Sequence, residues 1–316
     1  MPLVVASAED VRAHLDFPTC IDLMRGAMTR LSQGVTRQLP REILRVDNGM
    51  LGVMPGAIGP GDAFGLKVVS VYPGNFAKGF PTHQGMIMLF EPENGTPIAL
   101  IDAGEITRIR TAGASAAATD ALARKDARVL AVLGYGEQAD AHVAAIRCVR
   151  PIERVVVWGR DAEKRTRFAE RLSATGLACE DAATAAEAAA QADIICTTTG
   201  ASEPILCGAD VRPGTHVNLV GSSYAGPAEA DNALVARSRY FADSRVNVLE
   251  QGAEFLHARD AGLIDDTHVL AEIGEVFAGS ATGRQSPSDV TIYKSLGHII
   301  QDLVSSWHVH SRVLSV

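Results

Sequence analysis

Residues 128–139 read RVLAVLGYGEQA, an apolar run that leads directly into a glycine-rich turn. A short run of this kind, ended by glycine, is typical of a buried strand in a parallel sheet. Gly134, Gly136 and Ala139 fit the pattern G-x-G-x-x-A. In that pattern the first glycine permits a tight turn, the second lets the backbone approach a pyrophosphate, and the small third residue lets helix and strand pack closely. Because helical spacing follows from Glu137 onward, the stretch predicts a Rossmann dinucleotide-binding domain.

Strand-like and helical segments alternate through the rest of this half of the chain. Apolar strands are expected at residues 154–158, 193–198, 216–220 and 240–242, and helices at residues 161–173 and the alanine-rich residues 182–192. Short glycine-bearing connections join them, which favours a parallel sheet with right-handed crossovers.

The first 110 or so residues follow a different pattern. A helix is expected at residues 18–33, and strand-like runs punctuated by glycine and proline are expected at residues 41–46, 50–54, 66–71, 85–91 and 97–102. This pattern favours an antiparallel or mixed sheet with short turns. Residues 286–316 predict a helical segment after a glycine-rich loop. The expected fold class is α/β, with a Rossmann domain and a mixed α+β domain.

The composition argues against several kinds of partner. The 316 residues carry a formal net charge of −8, which weighs against nucleic acid because phosphate binding needs a basic face. No apolar run approaches the roughly 20 residues of a membrane-spanning helix, and the N-terminus does not have the pattern of a secretory signal. Five scattered cysteines without a C-x-x-C pair indicate reduced thiols in a cytoplasmic protein. The one close histidine pair, His308 and His310, is interpreted as part of a solvated tail, so no metal site is expected.

The end of the predicted second strand bears on the choice between NAD and NADP. An NAD site usually carries an acidic residue there for the ribose hydroxyls, whereas this chain has Gly159 and Arg160. Gly159 is expected to leave room for a 2′-phosphate, and Arg160 to bind it as a fork of donors. We therefore expect NADPH as the preferred cofactor, with NADH second. In the alternative interpretation, Arg160 is a solvated residue at a helix start and Asp161 serves the ribose.

Two cations stand where apolar or small residues are expected. Strand alternation places Lys67 on the same side as Val69 and Val71, and a lysine on an apolar stripe is costly unless it is paired or used. Arg110 lies in the segment that leads into the Rossmann half, and an arginine there can bind a carboxylate at two points. The alternative for each is a solvated surface cation.

With these segments in place, the chain resembles the ornithine cyclodeaminase/mu-crystallin family across nearly its whole length. The matching strings follow the family's order and spacing: LGVMP at 51–55, Lys67 in its strand, THQ at 82–84, LFEP at 89–92, IT at 106–107, RTA at 110–112, the glycine motif at 134–139, EPIL at 203–206, VGSS at 220–223, IGEV at 273–276 and KSLG at 294–297.

The resemblance implies two domains, one that binds the substrate and one that binds the cofactor. Residues 1–112 with 295–316 would bind substrate and form a homodimer, and residues 113–294 would form the Rossmann NAD(P)-binding domain. Lys67 and Arg110 would hold the carboxylate of a small amine or imine and take part in catalysis, with Arg41 as a less secure third member and Leu296 as a further substrate contact. The residues that would line the cofactor are Thr82, Arg110, Thr111, Gly134, Gly136, Glu137, Gln138, Gly159, Arg160, Thr199, Ser222 and Ser295.

Ser223 departs from one branch of the family. Cyclodeaminases carry an aspartate at this place, where it helps as a base, and serine is a poor base unless it is activated. The ketimine-reductase branch is similar to this chain in having serine. Ser223 would then be a hydrogen-bond partner of the substrate nitrogen or of a water, whereas Ser222 and Ser223 would otherwise only form a turn. His83 is interpreted as a proton relay or, alternatively, as a structural histidine.

Four functions stay open on these grounds. The first is a reductase of cyclic ketimine carboxylates such as pyrroline-2-carboxylate or piperideine-2-carboxylate. The second is an amino-acid dehydrogenase or a reductase of open-chain imines, of the alanine or iminosuccinate type. The third is a cyclodeaminase, which Ser223 disfavours. The fourth is a binding protein that keeps the cofactor fold and stores a small ligand, which Lys67 and Arg110 disfavour.

Overall fold

The computed structural model describes residues 3–314, except for the side chains of Phe76 and Ala77. The chain divides into two compact units, one formed by Met1–Arg110 with His298–Val316 and the other by Thr111–Gly297. Within the described residues, no helix combines the length and the apolar composition needed to cross a lipid bilayer.

The first unit is built on a seven-stranded sheet. Its order is β1-β7-β6-β5-β4-β2, with β3 pairing with β4, and all pairs are antiparallel except β1 with β7. The strands are β1 (Val4–Ala6), β2 (Arg37–Gln38), β3 (Glu42–Val46), β4 (Gly49–Ala57), β5 (Phe64–Val71), β6 (His83–Phe90) and β7 (Pro97–Asp102). The helices are α1 (Ala8–His14), α2 (Phe17–Ser32), the start of α3 (Ala103–Leu122) and the last helix, α11 (Ile299–Val313).

The C-terminal helix α11 completes the core of this unit. It packs against α2 and against β4, β5 and β6. Its buried positions include apolar Ile299, Ile300 and Leu303, which recur with helical spacing, but also polar Gln301 and Asp302. A helix that buries a carboxylate among leucine and isoleucine requires a partner for that charge.

The second unit is built on an eight-stranded sheet in which all pairs are parallel. Its order is β10-β9-β8-β11-β12-β15-β13-β14. The strands are β8 (Val129–Leu133), β9 (Arg154–Trp158), β10 (Ala178–Asp181), β11 (Ile194–Thr197), β12 (His216–Leu219), β13 (Arg239–Ala242), β14 (Val269–Glu272) and β15 (Thr291–Lys294). The helices are α4 (Glu137–Arg147), α5 (Ala162–Ser173), α6 (Ala185–Gln191), α7 (Asn232–Arg237), α8 (Arg245–Gln251), α9 (Ala253–Asp260) and α10 (Ile273–Phe277).

The expected α/β fold with a Rossmann domain is confirmed. The succession β8-α4-β9-α5 and the parallel sheet are those that the glycine motif predicted, and the alanine-rich segment forms α6, with Thr184 as its capping residue. Two expectations were wrong. Residues 291–294 form β15 in the middle of the sheet rather than part of a C-terminal helix, because TIYK is a short, fully buried run and such a run has no periodicity of its own. His308 and His310, interpreted as part of a solvated tail, lie in α11, where His310 is buried.

Gly134 is the position where the backbone of this sheet depends on glycine. Its φ is +132°, and its amide donates to the carbonyl of Trp158. A methyl group on Gly134 would lie 2.5 Å from Thr198 Oγ1 and 2.9 Å from the carbonyl oxygen of Thr198. The turn after β8 therefore approaches the end of β11 too closely for any side chain.

We expect Gly134→Ala to destabilise the protein by about 2 kcal/mol, through backbone strain and the clash with Thr198. Gly136→Ala is the matched control, because a methyl group there meets nothing within 4 Å. Urea unfolding of the three proteins measures the difference. An equal loss of stability in both variants would contradict the close approach of Gly134 to Thr198.

Candidate active site

Lys67 lies in the middle of β5, between two paired strands. Its neighbours across the sheet are Met54 on β4 and Ile87 on β6, both buried. The lysine itself is only 3% exposed. A lysine that is closed in on both sides requires a counter-charge within the unit.

The counter-charge is Asp302 of α11, which is completely buried. Lys67 Nζ donates to Asp302 Oδ2 at 2.7 Å, and Arg110 Nε donates to Asp302 Oδ1 at 2.8 Å. Arg110 Nη1 also donates to Gln301 Oε1 at 2.8 Å. Lys67 is further placed 3.5 Å from Thr107 Oγ1. Two cations thus share one carboxylate, and the cluster of Lys67, Arg110 and Asp302 is held by hydrogen bonds on β5, α3 and α11.

The protonation of this cluster follows from its burial and its excess of positive charge. Loss of water, with the nearby charges of Arg110 and Arg41, lowers the pKa of Lys67 to about 8, although Asp302 opposes this shift. Burial by itself would raise the pKa of Asp302, but Arg110 and Lys67 hold it below its usual range. Asp302 is therefore ionised at neutral pH, and Lys67 loses its proton just above neutrality.

Asp302 and Gln301 were not identified from the sequence. The rule that singled out Lys67, a charge on an apolar stripe, applies equally to Asp302, which follows Ile299 and Ile300 in a helix. The expected partner is 235 residues away from Lys67 in the sequence. Nothing local connects the two positions, so the pair could not be predicted.

Arg41, Thr82 and His83 belong to the same unit as this cluster. Arg41 is half-buried just before β3, and its charge contributes to the lowered pKa values of Lys67 and His83. Loss of water is the main cause of the lowered pKa of His83, and the charges of Lys67 and Arg110 lower it further. Thr82 Oγ1 lies 3.0 Å from His83 Nδ1. His83 is therefore neutral near pH 7.

In the second unit, the glycine turn has the form required by a pyrophosphate. The N-cap of α4 is Gly136, with no side chain capping the helix, and the space beside its Cα is open to 4 Å. The helix dipole and free backbone donors at such an end favour an anion. Glu137 is exposed in the first turn, and Gln138 lies half-buried behind it. The residues present therefore fit a dinucleotide phosphate.

The end of β9 corrects one step of the sequence argument. A methyl group at Gly159 would lie 2.3 Å from the Tyr135 ring, so the small residue makes room for that ring rather than for an open phosphate pocket. Arg160 is exposed and makes no hydrogen bond or ion pair with any part of the chain that the structure describes. Arg165 instead pairs with Asp181 at 2.9 Å. The exposed guanidinium of Arg160 thus has donors available for an anion.

Asp161, the alternative ribose ligand, serves the helix. Its Oδ1 accepts from the backbone amide of Lys164 at 3.1 Å as the N-cap of α5. This bond and the charge of Lys164 keep the pKa of Asp161 below its usual value. The carboxylate is exposed, and its Oδ2 lies 3.6 Å from Lys164 Nζ.

The loops after β11 and β12 carry three of the other predicted residues. Thr199 Oγ1 donates to Glu229 Oε1 at 2.7 Å and so is engaged inside the unit. Ser222 is buried, and its hydroxyl donates a hydrogen bond to the carbonyl of Pro227. Ser223 is half-buried. Glu229 was not identified from the sequence, although an acidic residue with no exposure is as unusual as Lys67.

Thr111, Ser295 and Leu296 are all buried in the second unit. Thr111 is the first residue of that unit in α3. Ser295 Oγ has no hydrogen-bond partner among the described residues, which leaves it as a donor for a ligand. The Leu296 side chain packs in the apolar core and its amide donates to Asp243 Oδ2 at 2.7 Å. A substrate contact by Leu296 stays a prediction.

Comparison with known proteins gives one consistent result. A sequence profile of the ornithine cyclodeaminase/mu-crystallin family matches residues 2–316. The chain is 34% identical over 306 residues to the ketimine reductase mu-crystallin of Mus musculus, covering 95% of this chain and 94% of that protein. The structure of Thermococcus litoralis Delta(1)-pyrroline-2-carboxylate reductase with NADH and L-proline superposes with a TM-score of 0.96, at 32% identity, over 99% of this chain and 98% of that one. An archaeal alanine dehydrogenase dimer with bound NAD superposes with a TM-score of 0.93, at 30% identity, over 100% and 97% of the two chains. The chain belongs to the ornithine cyclodeaminase/mu-crystallin family.

Proposed function

We propose that this protein is an NADPH-dependent reductase of cyclic ketimine carboxylates, which converts pyrroline-2-carboxylate or piperideine-2-carboxylate to L-proline or L-pipecolate. The observation that carries the proposal is the buried pair Lys67 and Arg110 on a single carboxylate, Asp302. The mouse ketimine reductase and the Thermococcus litoralis pyrroline-2-carboxylate reductase support the reaction class.

The cluster has one positive charge more than its own carboxylate neutralises. Arg110 uses Nε and Nη1 within the protein, while its Nη2 makes no hydrogen bond with the described residues. Lys67 Nζ has one short bond, to Asp302. A buried excess of positive charge with donors to spare favours a small anion, and a substrate carboxylate has that charge and size.

The second unit contributes the residues for a nicotinamide cofactor. Gly134, Gly136 and the N-terminus of α4 fit the pyrophosphate, Arg160 the 2′-phosphate, and Ser295 has a free hydroxyl. When bound, the reduced nicotinamide supplies the hydride for the imine carbon. The related structures contain NADH or NAD, so the preference for NADPH rests on Arg160 alone.

The residues of this chain orient the substrate and provide a proton. Arg110 holds the substrate carboxylate, which fixes the imine carbon for hydride transfer. Lys67, with a pKa of about 8, is mostly protonated at neutral pH and still acidic enough to donate to the imine nitrogen. Ser223 hydrogen-bonds to that nitrogen or to a water beside it. Serine does not remove protons as readily as the aspartate of cyclodeaminases, and reduction of an existing imine needs no such base.

A second candidate is an amino-acid dehydrogenase or reductase of open-chain imines. The close superposition with an archaeal alanine dehydrogenase favours it, because both reactions need a carboxylate held next to a C=N carbon. Ring closure of the substrate is what separates the two candidates.

All five cysteines are free thiols, two of them buried. Structural disulfides are rare in the reducing cytosol and common outside it. We therefore propose that the protein is cytoplasmic, and expect unchanged thermal stability in the presence of dithiothreitol.

We expect rapid oxidation of NADPH by the purified protein with pyrroline-2-carboxylate or piperideine-2-carboxylate, followed as loss of absorbance of the reduced cofactor. NADH, pyruvate with ammonia, and ornithine with NAD are tested in parallel. Lys67→Met should abolish turnover and leave cofactor binding intact. Activity with pyruvate and ammonia alone would favour the dehydrogenase, and proline formed from ornithine would favour a cyclodeaminase.

The same assay tests Arg160. Arg160→Glu should raise KM for NADPH about tenfold or more while changing KM for NADH little, since only the 2′-phosphate meets that charge. Lys164→Glu, one turn along α5, is the control. A protein that prefers NADH before any substitution would contradict the cofactor preference without affecting the reaction.

The pH dependence of the reductase reaction should report the loss of the proton from Lys67. Reduction needs protonated Lys67, so kcat/KM should stay level below pH 8 and fall above about pH 8. Asp302→Asn removes the charge that favours protonated Lys67, so we expect the fall to begin about one pH unit lower or more.

Glu105→Gln is the matched control, because Glu105 pairs with Arg12 and Arg108 and does not contact Lys67. Titration of the substrate itself is common to all variants and cancels. An unchanged alkaline limb in Asp302→Asn would exclude Lys67 as the titrating group.

We further propose that the protein is a homodimer formed through β3. This strand pairs with β4 along one side only, and all five of its residues are exposed. Leu44 is 63% exposed and Leu39, just before it, 67%. An open apolar strand edge is a hazard in a monomer and a ready surface for a second copy. The related alanine dehydrogenase is a dimer.

Leu44→Glu should therefore yield monomers in sedimentation velocity, because it places like charges opposite each other across a two-fold contact. Leu270→Glu, at an exposed position on β14 of the other unit, is the control and should stay dimeric. A monomeric wild-type protein would overturn this proposal.

A further inference from the structure

Glu229 of the second unit is a carboxylate with no exposure and no part in the mechanism above. Its Oε1 accepts from the amide and the hydroxyl of Thr199, both at 2.7 Å. Its Oε2 accepts from the hydroxyl of Thr197 at 2.6 Å and from the amide of Gly221 at 2.7 Å. Burial raises the pKa of Glu229 above its usual value, although the hydrogen bonds from Thr197 and Thr199 oppose this shift. Four donors on one carboxylate constitute a rigid clamp.

The clamp joins two loops at one edge of the sheet. Thr199 follows β11 and Gly221 follows β12, so both loops lie at the carboxyl ends of adjacent parallel strands. The loop after β11 also abuts the glycine turn, because Thr198 Oγ1 is the atom that a methyl group on Gly134 would meet. The strand order reverses between β8 and β11, which is the place where dinucleotides bind.

A buried ion pair holds the second loop from its other side. Lys294 Nζ at the end of β15 donates to the carbonyl of Ser222 and lies 2.7 Å from Glu254 Oε2. Glu254 Oε1 in turn accepts from the amide of Glu229 at 3.1 Å. The backbone of Gly221 and Ser222 is therefore fixed through both its N–H and its C=O, immediately before Ser223.

We infer that Glu229 is a positioning residue for the nicotinamide half of the cofactor. The N-terminus of α4 would hold the pyrophosphate, and Arg160 after β9 would bind the adenosine half. The other half must then cross the reversal point and lie over the loops after β11 and β12, whose shape Glu229 sets. This inference rests on the proposed function, since it requires a bound dinucleotide.

Glu229→Gln tests the inference without changing the size of the residue. A backbone amide donates to each carboxylate oxygen, and the amide nitrogen of glutamine cannot accept, so one loop loses its anchor in either orientation of the side chain. Calorimetry measures Kd for NADPH and NADH, and Kd for ADP-ribose and its 2′-phosphate, which lack the nicotinamide. We expect the intact cofactor to bind about tenfold or more weakly and the fragment less than about threefold more weakly.

Asp193→Asn is the matched control at the opposite end of the same strand. Asp193 precedes β11 and accepts from the backbone amides of Arg128 and Val129 at 2.9 and 3.0 Å. It lies away from the carboxyl ends of the sheet. We expect lower thermal stability and an unchanged ratio between cofactor and fragment affinity.

A second pair of variants serves if Glu229→Gln does not fold. Thr197→Val deletes one donor to Glu229, and Thr197→Ser keeps it, in a residue that is completely buried. The valine variant should weaken cofactor more than fragment, and serine should restore the ratio. Equal weakening of cofactor and fragment, or none, would overturn the inference. Wild-type protein that binds neither NADPH nor NADH would overturn the proposed function as well, which distinguishes the two failures.

Discussion

Asp302 is the charge on which the first unit depends, because it allows Lys67 and Arg110 to be buried together. The three residues come from β5, α3 and α11, and the two ion pairs span 235 and 192 residues of sequence. Without the carboxylate, two like charges would face each other in an apolar core, which typically costs several kcal/mol. The contact also explains why the C-terminal helix belongs to the N-terminal unit: its apolar face packs on the sheet, and its single buried carboxylate fixes its register there.

The second unit depends on backbone geometry rather than on charge at its glycine turn. A parallel sheet brings all carboxyl strand ends to one edge, and the reversal of order between β8 and β11 opens a crevice at that edge. Gly134 lets two loops approach closely, and Gly136 leaves a helix N-terminus uncovered. Both requirements concern the local backbone, and residues close together in the sequence, Gly134 and Gly136, meet them.

That difference decides how much could be predicted from the sequence. The Rossmann fold was predictable because the motif at 134–139 carries its own geometry, and Lys67 was predictable because strand alternation reveals a charge on an apolar stripe. Asp302 and Glu229 could not be paired with their partners, since each acts through contacts that the fold alone brings together. The strand at 291–294 was missed for another reason: four buried residues carry no periodicity that separates strand from helix. Gly159 was expected to leave room for a 2′-phosphate, but the Tyr135 ring occupies the space beside it.

The two buried charge clusters have opposite roles, and their hydrogen bonds tell them apart. Glu229 has a donor for each of four acceptor positions, all from the protein, so its charge is fully used within the fold. Lys67 and Arg110 together carry two positive charges against the one carboxylate of Asp302, with donor positions left over. Apolar residues of similar volume are often at least as stabilising as a buried ion pair, so a buried charge is weak evidence for a role in stability. A buried charge that the fold fully hydrogen-bonds holds the loops around it in place. A buried charge without a full counter-charge favours binding of an ion of opposite charge. The unbalanced charge of Lys67 and Arg110 can therefore bind a small anion, whereas the charge of Glu229 holds the loops after β11 and β12 in place.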